Sequence, residues 1–142
     1  MNVKSLPAIA VLTLLSACAN TVGELKADKS SFDGATASAE SYLATYRTLR
    51  AAARQCMEHQ PLGTPVTVES EVDSELKEGQ IRQKVTGQGV LLNTTVIDIK
   101  ADADDKVVVS LYTLKGSLVT GINIPTLADI KRWIAGDARC TL

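Results

Sequence analysis

Three cysteines, one histidine and three arginines in register are the side chains here whose chemistry could go beyond packing. Cys56 and His59 stand three residues apart. Such a pair could supply a nucleophile if Cys56 is a free thiolate. His59 adjoins Pro61 at the end of a helical stretch, with only Glu58 near it at metal-ligand spacing. A histidine so placed reads as solvated. Asp98, Asp102, Asp104 and Asp105 suggest calcium, but the central glycine and distal glutamate of an EF-hand loop are missing, so the run reads as a polar turn. Arg47, Arg50 and Arg54 recur at steps of three and four, one stripe of a helix. They read as a solvated face or as a contact for acidic lipid headgroups or an acidic partner. Gly87-Gln88-Gly89 is too short for a phosphate loop, and the Gly-x-Ser-x-Gly, Ser-x-x-Lys and His-Glu-x-x-His signatures do not occur. Glu69 and Glu71 face basic neighbours, which keeps carboxylates ionised rather than poised for acid catalysis. The sequence therefore offers no catalytic constellation, no metal-ligand set and no cofactor motif.

The elements that must hold these residues follow from periodicity. Residues 19–32 lack a sustained pattern and read as a flexible linker, spanning about 20 Å on a root-mean-square basis. Asp33 or Thr36 is the expected N-cap of a long helix reaching Met57, with Tyr42, Tyr46, Leu49, Ala53 and Cys56 on its buried stripe. Pro61, Gly63 and Pro65 end it. The period then becomes two. Val66, Val68 and Val72 point one way along a first strand, and Ile81, Gln83 and Val85 do so along a second. Folded as an antiparallel hairpin, the pair sets Glu69 and Glu71 against Lys84 and Arg82. Residues 91–100 and 106–114 form a second hairpin across the acidic turn. Thr126, with Asp129 three residues later, starts a short helix with Leu127, Ile130, Trp133 and Ile134 on its apolar face, and Gly136 stops it. The expected fold is an α+β domain over residues 33–142: an N-terminal helix, a four-stranded antiparallel meander and a C-terminal helix. Both helices cover one face of the sheet, and the other face is wet.

The N-terminus carries the most specific signal. Lys4 precedes an apolar stretch, Leu6–Leu15, which closes in Leu15-Ser16-Ala17-Cys18. A small-residue site directly before a cysteine resembles the lipobox of bacterial lipoproteins. That resemblance implies removal of residues 1–17, a diacylglycerol on the Cys18 sulfur, and acylation of the new amine. Residues 18–32 would then be a lipidated linker. Ala19, rather than Asp, favours the outer membrane, facing the periplasm. The alternative is an ordinary signal cut after Ala17, with Cys18 a spare thiol. Each buried acyl CH2 contributes about 0.8 kcal/mol, so two or three chains hold a protein almost permanently. Lipidation would also leave Cys56 and Cys140 as an even pair in an oxidising compartment, where they would bridge; two unpaired thiols are the other option. A bridge would consume the thiolate that a Cys56–His59 nucleophile requires.

Removing residues 1–17 of the 142 leaves 125, enough for one core. Loss of Lys4 takes the 15 Lys and Arg to 14 against 16 Asp and Glu, which argues against nucleic acid as a partner. The aromatics Phe32, Tyr42, Tyr46, Tyr112 and Trp133 are few for a sugar groove or base-stacking platform. The expectation is a membrane-anchored, non-catalytic binding or assembly module whose partner is an envelope protein or polymer. An inhibitor of a periplasmic or incoming hydrolase is the alternative, and an enzyme ranks below both.

Overall fold

The computed structural model describes residues 20–58, 63–87, 89–116 and 121–140. Cys18, His59 and Gln88 lie outside them. One antiparallel sheet organises the chain, in the order β1-β5-β4-β3-β2. The strands are β1 (Phe32–Ser38), β2 (Val66–Asp73), β3 (Glu78–Gly87), β4 (Val90–Ala101) and β5 (Val107–Thr113). Helices α2 (Tyr42–Met57) and α3 (Leu127–Ile134) pack on one face of this sheet, and a short helix, α1 (Val22–Ala27), lies across the other. The α+β class and the two-helix face match the sequence reading. The element count does not: among the described residues there are five strands and three α-helices, against the four and two expected.

The extra strand is the segment read as the start of the long helix. Asp33 and Thr36, the expected caps, lie in β1, where residues 34–38 pair with β5 from Leu111 back to Val107. Small residues such as Gly34, Ala35 and Ala37 do not mark a strand by propensity. What recruits them is the unpaired backbone along β5. Ser41 caps α2 instead, its hydroxyl accepting from the Ala44 N–H at 3.4 Å. Gly34 permits the close packing of α3 on this edge, because a Cβ there would stand 2.8 Å from Leu127 Cδ2.

The core forms where α2 and α3 meet the sheet. Leu49, Ala52, Ala53 and Met57 of α2, Ile130 and Trp133 of α3, and Ile81, Ile97, Ile99, Val109 and Leu111 from the strands are all fully buried. Each large apolar side chain so placed contributes roughly 1.5–3 kcal/mol relative to exposure. α2 runs alongside β3. At one end the Tyr42 hydroxyl donates to Glu78 O at 2.8 Å; at the other, Gln83 Nε2 donates to Met57 O at 2.9 Å. Gly79 lets the Tyr46 ring lie against β3, since a Cβ there would meet Tyr46 Cδ2 at 2.8 Å.

The outer face departs from expectation. Residues 20–31, expected to be a flexible linker, are fastened to it. Thr21 and Glu24 form a reciprocal capping box for α1 (Thr21 N–H to Glu24 Oε2, 2.6 Å; Glu24 N–H to Thr21 Oγ1, 3.1 Å). Leu25 is buried, and so is Val96 in the strand beneath α1. Lys26 forms an ion pair with the nearly buried Asp98 and lies 5.7 Å from the Tyr112 ring centroid. A 3-10 turn, Lys29–Ser31, leads into β1. Covering both faces explains why residues 93–99 of β4 are buried without interruption. Among the described residues no helix is long and apolar enough to cross a membrane.

Candidate functional site

α2 places Arg47, Arg50 and Arg54 on its outer side, where with Ala51 they line an open groove of about 430 Å³. Arg47 and Arg54 are exposed and Arg50 is half-buried. The stripe exists because the opposite face of the helix is spent on the core, leaving positions 47, 50, 51 and 54 outward. None of the three reaches a carboxylate within ion-pair distance among the described residues. Arg50 Nε is buried and meets no hydrogen-bond acceptor there. Nine other described cations, Lys26, Lys77, Arg82, Lys84, Lys100, Lys106, Lys115, Arg132 and Arg139, meet carboxylates, and Lys29 and Lys131, each apart from this row, do not. What sets the row apart is three neighbouring guanidinium groups with no carboxylate among them. Three guanidinium groups present several planar donors each, suited to carboxylate or phosphate oxygens. The groove offers recognition rather than acid–base chemistry, because an arginine does not deprotonate.

The structure joins Cys56 to Cys140 as a disulfide, with Cα atoms 5.2 Å apart, tying the end of α2 to the segment after α3. Asn123 Nδ2 donates to Cys56 O at 3.1 Å and secures the same corner. The bonded Cys56 has no thiolate for a partner histidine.

On the outer face the charged hairpin is present, with Glu69 at its centre. Its register is shifted by two residues from the expected one: Glu69 lies opposite Arg82, Thr67 opposite Lys84, and Glu71 opposite Gln80. Glu69 accepts from Arg82 Nε at 3.0 Å and from Lys84 Nζ at 2.8 Å, while Glu71 lies 3.6 Å from Arg82. The Lys84 hydrogen bond, above all, holds the Glu69 carboxyl below its ordinary range. A second open groove, of about 400 Å³, includes Lys26, Glu78, Gln80, Asp98 and Lys100 in its wall. Both of its lysines are paired within it, Lys26 with Asp98 and Lys100 Nζ with Glu78 at 2.8 Å, and Gln80 Nε2 donates to Asp98 Oδ1 at 2.9 Å; Glu71 and Asp73 complete the charges of its wall. The acidic run is dispersed. Asp98 belongs to this face, Asp102 accepts from the Asp104 and Lys106 N–H groups, and Asp105 pairs with Lys77. Among the described residues no group of three or more metal-binding side chains converges.

Sequence reasoning missed a buried polar knot. Gln83, read only as one inward residue of an alternating strand, is fully buried. Its Nε2 donates to Met57 O at 2.9 Å and Asn123 O at 3.0 Å, and its Oε1 accepts from Thr94 Oγ1 at 2.8 Å and Thr95 Oγ1 at 3.2 Å. All four valences of the amide are used. The alternation of a glutamine with Ile81 and Val85 was a signal for such a knot; its partners come from three other segments. A second missed feature is the pairing of Asn20 with Asn93. Asn20 Nδ2 donates to Asn93 O at 3.0 Å, the Asn93 N–H donates to Asn20 Oδ1 at 2.7 Å, and Asn93 Nδ2 donates to Asn20 O at 2.6 Å. The side-chain amide of Asn20 thus bonds the Asn93 backbone as a neighbouring peptide would, one residue beyond the end of the β5 ladder at Thr94.

No protein-family model, curated protein or solved structure matches the chain.

Proposed function

We propose that this protein is a lipoprotein of the bacterial cell envelope, lipidated at Cys18 and held at the outer membrane facing the periplasm, and that it works as a non-catalytic binding module. The observation that carries the binding reading is the row of Arg47, Arg50 and Arg54, three neighbouring guanidinium groups lining one groove. They meet no carboxylate among the described residues, where nine other cations do and only the separate Lys29 and Lys131 do not. Its complement is an acidic envelope protein or polymer. The anchor reading rests on Leu15-Ser16-Ala17-Cys18 and is supported by cysteine parity: with Cys56 bonded to Cys140, Cys18 is the one cysteine left over.

Crosslinked pull-down from envelopes tests the module. Full-length protein captures a partner, and the triple variant Arg47→Gln/Arg50→Gln/Arg54→Gln loses it while melting at the parental temperature. Equal capture by the triple variant removes the groove from the proposal, and turnover of a substrate by purified protein that captures nothing overturns it. Cys18→Ser tests the anchor by moving the protein out of the membrane fraction.

A further inference from the structure

The three Asn20–Asn93 hydrogen bonds change what an anchor at Cys18 would do. A flexible linker of fourteen residues would let the body wander about 20 Å from the bilayer. Instead the chain is fastened continuously from Asn20. The side-chain clamp on β4 is followed at once by the Thr21–Glu24 capping box, then by buried Leu25, then by Ser31, whose hydroxyl bonds the Leu25 and Asp28 carbonyls. Only the peptide links from Cys18 to Asn20 remain, and two residues reach at most about 7 Å. The headgroup layer of one leaflet is itself about 5–8 Å deep, taken as half the difference between the full bilayer and its hydrocarbon core.

Resting on the lipoprotein reading, we infer that the pole of the sheet around Asn20 and Asn93 is seated in the phospholipid headgroup layer, which gives the body one fixed orientation on the membrane. The contact surface is the shallow depression lined by Asn20, Lys84, Leu91 and Asn93. Leu91 is 39% exposed there, an apolar side chain suited to the upper acyl region. The opposite pole, made by the turns at 74–77 and 102–106, stands away from the lipid. From Asn93 to Ala101 a strand covers about 26 Å, several times what the two-residue tether can span. That far pole carries Leu76, 67% exposed, and the Lys77–Asp105 pair. α2 runs along this axis, so its arginine row starts near the membrane at Arg54 and climbs about 10 Å to Arg47.

Depth-dependent fluorescence quenching tests the orientation. Leu91→Trp and Leu76→Trp are each prepared in the full-length, processed protein and reconstituted into phosphatidylethanolamine–phosphatidylglycerol vesicles carrying a headgroup-nitroxide lipid. Trp133 is fully buried and gives a constant background in both. The expected result is several-fold stronger quenching of Leu91→Trp than of Leu76→Trp, with the difference collapsing in the Asn20→Ala/Asn93→Ala background at unchanged helix content. Mass spectrometry of the N-terminal peptide separates the two levels of the argument. An acylated Cys18 with equal quenching at both sites overturns the orientation alone. An unacylated Cys18 overturns the lipoprotein reading, and the orientation with it.

Discussion

Replacing Gln83 by leucine tests whether the buried polar knot holds the two layers in register. The substitution roughly conserves volume and removes four hydrogen bonds at once, to Met57 O, Asn123 O, Thr94 Oγ1 and Thr95 Oγ1. A buried bond of this kind contributes about 1 kcal/mol net, so the loss approaches about 4 kcal/mol. Leucine recovers roughly 1–2 kcal/mol through its larger apolar surface. The expected net destabilisation is therefore about 2–3 kcal/mol, read from urea unfolding of the disulfide-bonded protein as a lower midpoint at unchanged m-value. At roughly 4 °C per kcal/mol for a domain of this size, the melting temperature falls by about 10 °C. Gln83→Glu sharpens the test. The carboxylate keeps the threonine donors but turns an acceptor toward two carbonyls and buries a charge. Its folded-state pKa is raised above the unfolded value, so the native state binds more protons and stability falls as pH rises through that pKa. Once protonated, the new carboxyl keeps the threonine bonds and donates its O–H to one of the two carbonyls, so Gln83→Glu should approach the parent in acid and fall below Gln83→Leu at neutral pH. A Gln83→Leu protein as stable as the parent would refute the reasoning and show that the four partners re-pair at no cost.

Further outcomes follow from the same geometry. Reducing the Cys56–Cys140 bridge, whose partners are 84 residues apart, should destabilise the protein by up to about 4.5 kcal/mol, seen as a lower melting temperature in dithiothreitol. Glu69→Gln should weaken the fold at neutral pH by roughly a few tenths of a kcal/mol, because the half-exposed pair is screened by solvent. The Glu69 pKa is depressed, so its contribution is present above the unfolded carboxylate pKa and disappears as pH falls through the folded one; the variant and parent unfolding curves should converge in acid. Gly79→Ala should cost roughly 1–3 kcal/mol in chemical denaturation, as its Cβ would lie 2.8 Å from Tyr46 Cδ2 and the ring must move. Thr21→Ala should cost α1 about 1 kcal/mol and speed amide exchange at Glu24 and Leu25, leaving the slow core unchanged.

Wherever a pattern was carried by neighbours in sequence, the primary structure alone determined the outcome. The Tyr46–Leu49–Ala53–Cys56 stripe, the alternation through Ile81 and Val85, the Thr126–Asp129 capping box and the Glu69–Arg82–Lys84 charge match all depend on periods of two, three and four. Thr21-x-x-Glu24 was readable by the same rule and was overlooked for want of an apolar run behind it, since Leu25 alone buries α1. Tertiary structure decided the rest. Residues 32–38 became a strand because β5 presented an open ladder, not because their small side chains favour one. Gln83 became a four-way junction because segments up to 40 residues away converge on it. Asn20 became a clamp because β5 stops one residue short of Asn93, leaving a backbone N–H and C=O for a side-chain amide to complete. Local periodicity states which face of an element is apolar. It cannot state which backbone groups a distant segment will leave unpaired, and those groups decided where β1 and Asn20 joined the sheet.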